Sequence, residues 1–189
     1  MNARLTISAF ALVLTATVTL AQTHHGDKQH RYSAQPYAGQ QTRGVASLSD
    51  DDLQGFLDGR GMGLAKSAEL NGHPGPMHVL ELEKELKLTA EQRQLVVAAF
   101  DRMKAKAREL GDAYVKAERA VDQAFKSGAA DAAQVAARVA EANRLLGEVR
   151  LAHLAAHIEI TPLLTPEQRA RYAELRGYTT GSAHGHHKH

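Results

Sequence analysis

From Val96 onward the apolar residues advance by alternating steps of four and three: Val96, Phe100, Met103, Ala107, Leu110, Tyr114, Ala117, Val121 and Ala124. This is an a/d seam over four heptads, and it predicts a long helix packed against a partner in coiled-coil fashion. Val135, Val139, Ala142, Leu146, Val149, His153, Ala156 and Ile160 repeat the pattern and predict a second long helix. The stretch from Lys126 to Asp131 between them supplies a turn, with Gly128 as its C-cap. A loop this short makes the two helices antiparallel neighbours. Leu151, Leu154 and Ile158 form a further apolar stripe off the seam of the second helix. A second stripe needs a second partner, either another helix or another protomer, so a homodimer is expected.

Two nearly identical hexapeptides bracket the hairpin, Leu88-Thr89-Ala90-Glu91-Gln92-Arg93 and Leu164-Thr165-Pro166-Glu167-Gln168-Arg169. In each, the threonine is an N-cap, and the glutamine three residues on can return a hydrogen bond to the cap's own N–H. Glu91 and Glu167 complement the helix dipole, and Pro166 occupies a first-turn position where its missing N–H costs nothing. Thr161-Pro162 ends the second long helix, and a short last helix runs to about Arg176. Upstream, Pro76 to Leu86 reads as a shorter helix with Val79, Leu80, Leu82 and Leu86 for packing. Ser49 and Asp52 cap another short helix reaching about Leu57, within a stretch punctuated by glycine. The register of the hairpin puts both hexapeptides at the same end of the bundle. The expected fold is therefore all-α: a long antiparallel helical hairpin with short flanking helices, hooked at one end and dimeric.

Composition refines this picture. Tryptophan and cysteine are absent and aromatics are few, so the core must be built from closely packed, alanine-rich helices without disulfides. Arg4 followed by the apolar run Leu5–Leu20, with Thr19-Leu20-Ala21 as a cleavage site, reads as a signal peptide over residues 1–21. A retained anchor is the competing reading, although the run is short for a membrane span. A soluble periplasmic product of about 168 residues is expected, a length that suits one domain. The remaining organisation is a His-containing segment over 22–48, a Gly-rich extension over 49–75, the hairpin domain over 76–178 and a His-rich tail over 179–189. Loss of Arg4 with the leader leaves acidic and basic residues almost balanced, which argues against nucleic acid as a partner.

The candidate chemistry lies in the histidines. Seven of the eleven lie near the two ends, including His24, His25, His186, His187 and His189, in tracts that read as metal collectors or as solvated tails. His153 replaces a seam residue, and His157 lies one turn further along the same face. Taken alone, that spacing reads more ordinarily as core-edge histidines bonded to a neighbour, and it also offers two metal ligands. Pairing Ala124 with Val135 brings His157 level with about Arg102, and the turn near Leu88 brings His78 level with about Phe100. His78 and His157 would then be about 3 Å apart along the axis. Met77, Glu81 and Glu159 are weaker candidate donors. Three histidines with an optional carboxylate or sulfur suit zinc, copper, nickel or cobalt. No organic cofactor is indicated. There is no cysteine nucleophile or serine elbow, and Leu154 follows His153 where a zinc peptidase helix carries glutamate, so an enzyme is not expected.

The leader, the helical hairpin and the two Leu-Thr-x-x-Gln segments together resemble the Spy/CpxP superfamily of periplasmic proteins, over roughly Pro76 to Tyr178. That group includes heavy-metal-resistance and metal-sensing members of the ZraP and CnrX type. The resemblance implies a hooked, usually dimeric hairpin without catalytic activity. It leaves two functions open. One is metal handling through His78, His153 and His157. The other is ATP-independent holding of unfolded periplasmic clients, on a cradle of apolar stripes with Arg93, Arg102, Lys104, Lys106 and Arg108. Those five basic residues read more readily as a solvated helix face than as a dedicated client surface.

Overall fold

Each of the three capping signatures opens a helix. The computed structural model of the protein describes residues 35–179, and its described part contains helices and no strands. Ser49 caps α1 (Asp50–Asp58), Thr89 caps α4 (Ala90–Lys126) and Thr165 caps α6 (Pro166–Leu175). In all three the cap hydroxyl accepts the N3 backbone N–H, while the N3 side chain accepts the cap N–H. Two further helices precede α4: α2 (Lys66–Glu69) and α3 (Pro76–Glu81). The second long helix, α5 (Ala132–Ile160), is capped by Asp131. The turn between α4 and α5 includes Gly128 at φ 70°, a conformation glycine adopts without steric penalty.

The predicted helix over Pro76–Leu86 is cut short. Helix α3 ends at Glu81, and residues 82–87 form successive turns, with Lys87 in the left-handed region. Glu81, Glu83 and Glu85 would crowd negative charge at a helix C-terminus, where the dipole opposes it. The turns instead bury Leu86 and present its carbonyl to Gln168.

The hairpin of α4 and α5 carries two separate cores. One joins Val45, Leu48 and Phe56 of the extension to Leu110, Tyr114 and Val115 of α4 and to Ala142, Leu145 and Val149 of α5. Phe56 and Tyr114 meet edge to face with ring centroids 4.6 Å apart. Gly111 permits this approach, because a Cβ there would overlap the Phe56 backbone. The glycine-rich extension is thus a packed layer lying on α4. The other core, at the hooked end, gathers Val79, Leu86, Val96, Ala99, Ile160, Leu164 and Tyr172.

The twin hexapeptides meet directly at that end. Gln92 Nε2 donates to Gln168 Oε1 at 2.8 Å, and Gln168 Nε2 donates to Gln92 Oε1 at 3.0 Å. Each amide also crosses to the other motif's surroundings: Gln92 to the Leu163 carbonyl at 2.8 Å and Gln168 to the Leu86 carbonyl at 3.1 Å. The two glutamines therefore cap their own helices and clamp α4 to α6. Of the second stripe on α5, Leu151 and Ile158 remain exposed on the described chain. No helix among the described residues is long and apolar enough to cross a membrane. The leader and both histidine-rich ends fall outside the described residues.

Candidate metal site

Between the two cores, where α4 and α5 run side by side, the extension and α3 leave a cavity of about 830 Å³. Its walls come from both ends of α1 (Asp51, Asp52 and Asp58) and the loop after it, the start of α3, residues 100–108 of α4, and His153 and His157 of α5. All three predicted histidines, His78, His153 and His157, line it, as does Met77. Glu81 and Glu159 do not; Glu81 is exposed, and Glu159 is exposed and paired with Arg102. The tail histidines His24, His25, His186, His187 and His189 lie outside the described residues.

The three imidazoles differ in what they can do. His157 donates Nδ1–H to the His73 carbonyl at 2.8 Å. Its lone pair is then on Nε2, the arrangement by which a backbone acceptor fixes the tautomer of a metal-binding histidine. His153 is 3 % exposed, and its Nε2 is buried with no hydrogen-bond partner. An orphaned buried nitrogen is costly, so its presence calls for a reason. Burial, and secondarily the nearby His157, push its pKa below the usual imidazole value, which keeps it neutral and able to coordinate. His78 is more engaged. Arg176 reaches its Nε2 at 3.4 Å, so this nitrogen accepts and Nδ1 carries the proton. That Nδ1 lies 3.6 Å from Glu69 Oε1.

Glu69 is the residue that sequence reasoning missed. Its carboxylate is nearly buried, and Oε1 accepts the hydroxyls of Tyr172 and Tyr178, the latter at 3.1 Å. Arg176 Nε lies 3.6 Å from the same oxygen. Oε2 is buried without a hydrogen-bond partner and lies 3.7 Å from His157 Nδ1. Register arithmetic expects His78 and His157 to approach each other, and the structure sets them against the two oxygens of this one carboxylate. Desolvation first, and then the bond to Glu69, raise the Tyr172 pKa, so its phenol stays a donor. No local pattern marks Glu69, because all its partners except His78 come from the far end of the chain: His157, Tyr172, Arg176 and Tyr178.

Met62 and Met103 also line the cavity and were not anticipated. Among the described residues, no group of three or more His, Asp or Glu could by itself hold a metal ion. The arrangement therefore sets the imidazoles of His153 and His157 in the wall of a cavity that three methionines and the carboxylates of Asp51, Asp52 and Asp58 also line.

Comparison with family models matches residues 75–176 to the LTXXQ motif family. No curated protein and no solved structure matches the chain.

Proposed function

The chain belongs to the LTXXQ motif family, the Spy/CpxP-type family, which is non-enzymatic and typically periplasmic, and on that premise we propose that it binds a transition-metal ion in its interhelical cavity. His153 and His157 are the donors, His78 stands at the rim, and the histidine-rich ends collect metal for the site. Zinc, copper, nickel and cobalt fall within the class such donors accept. One observation carries this reading: the buried Nε2 of His153 has no partner, and it shares the cavity with an imidazole whose other nitrogen is already fixed by a backbone carbonyl. The protein acts as a metal-handling component of envelope stress resistance and performs no catalysis.

Zinc titration of the full chain with its tail histidines replaced by alanine tests this. Micromolar or tighter binding is expected, with loss in the His153→Ala, His157→Ala variant. Unchanged affinity in that variant would remove the site.

A second reading, ATP-independent holding of unfolded clients, is favoured by Leu151 and Ile158, each 63 % exposed along one side of α5. Contiguous exposed apolar residues of this kind mark interaction surfaces. The basic run supports that reading less, since Arg93, Arg102 and Lys106 are paired with Glu83, Glu159 and Glu109. Aggregation of an unfolded client with and without zinc separates the two. Protection without metal favours the chaperone, and protection only with metal joins the readings.

A further inference from the structure

Apart from Met1, the chain has three methionines and no cysteine, and all three methionines, Met62, Met77 and Met103, line the cavity that holds His153 and His157. They arrive from three different elements: the loop after α1, the first turn of α3 and the middle of α4. Methionine ordinarily fills gaps in a core. Here Met77 is 47 % exposed, so it does not serve mainly as filler, while Met62 is 37 % exposed and packs its sulfur over Gly55 of α1. Met62 also holds a left-handed backbone, φ 45°, between Gly61 and Gly63, where glycine would sit with less strain. Its sulfur lies where a Cβ on Gly55 would stand, and Gly61 packs against His153. The loop thus brings Met62 to the wall of the cavity that His153 also lines, with Gly61 next to Nδ1 of that imidazole.

From this convergence we infer that the cavity is selective for a soft, monovalent d10 cation, cuprous copper with silver as its air-stable equivalent, bound by the thioethers of Met62, Met77 and Met103 together with Nε2 of His153. Thioether sulfur is a soft, uncharged donor that prefers such ions over harder divalent ones. The inference rests on the preceding reading in using the same cavity, but it draws on different donors.

The test uses the full chain with its tail histidines replaced by alanine, loaded anaerobically with cuprous ion. Copper X-ray absorption should show sulfur in the coordination shell. The Met62→Leu, Met77→Leu, Met103→Leu variant, which nearly conserves volume, should lose that sulfur and bind cuprous ion at least about tenfold more weakly. Its zinc affinity should stay within about threefold of the parent, so that a collapsed cavity would be recognised. A shell of nitrogen and oxygen alone in the parent, or cuprous and zinc affinities falling together in the variant, would overturn the inference. Sulfur ligation with zinc binding indifferent to His153→Ala, His157→Ala would instead overturn the histidine reading and leave the soft-ion site standing.

Discussion

Replacing Gln92 and Gln168 by alanine, singly and together, tests whether the twin motifs form one clamp. Gln92 accepts the Thr89 N–H, donates to the Leu163 carbonyl and exchanges two bonds with Gln168. Gln168 does the same with the Thr165 N–H and the Leu86 carbonyl. Each single change breaks four hydrogen bonds, but the double change breaks only six, because two are shared. At about 0.75 kcal/mol net per bond, each single variant loses about 3 kcal/mol and the double about 4.5 kcal/mol. The gain in helix propensity from alanine offsets only a few tenths of a kcal/mol. The double variant therefore falls short of additivity by about 1.5 kcal/mol. Urea unfolding measures these values directly, and thermal unfolding should show each single variant lower by about 6–12 °C. Additivity to within about 0.5 kcal/mol would mean that the two amides do not touch, and the clamp would be refuted.

Gly111→Ala should push Phe56 and α1 off α4, at about 1–3 kcal/mol, and speed proteolysis within residues 49–75; an unchanged cleavage pattern would show that the extension is not docked as described. Gly75→Ala places a Cβ 3.0 Å from His157 Cε1, so the ring must shift; about tenfold weaker zinc binding is expected with the fold retained, and parent-like affinity would argue against His157 as donor. His153 should also shape the pH dependence of the metal-free protein. Its pKa is lower folded than unfolded, so the unfolded chain takes up the proton first as pH falls. Its contribution is full above the unfolded value of about 6.5 and declines as pH drops below it. His153→Leu should flatten the stability profile in that range, and parallel profiles would contradict the shift.

What could be read from the sequence was what is local or periodic. The three capping boxes depend on residues three apart, and each formed. The hairpin seam is a repeat of four and three, and Val96, Ala107, Leu110, Tyr114, Ala142 and Val149 are buried as that repeat requires. Leu145 rather than Leu146 joins the core of α5, because the extension packs on the hairpin and shifts the face that is covered. Helix α3 was overextended because its apolar spacing continues past Glu81 while the clustered glutamates and Lys87 end it. Glu69, Met62 and Met103 acquire meaning only through contacts between distant segments, which no spacing along the chain encodes. His78 and His157 line one cavity and each approaches Glu69, but the engagement of His78 by Arg176 and Glu69 was invisible.

Anomalous diffraction from crystals of the full chain soaked in a zinc salt addresses the central claim most directly. The account predicts a zinc peak inside the cavity, within coordinating distance of Nε2 of His153 and Nε2 of His157. Zinc confined to the surface or to the histidine-rich ends, with that cavity empty, would contradict it.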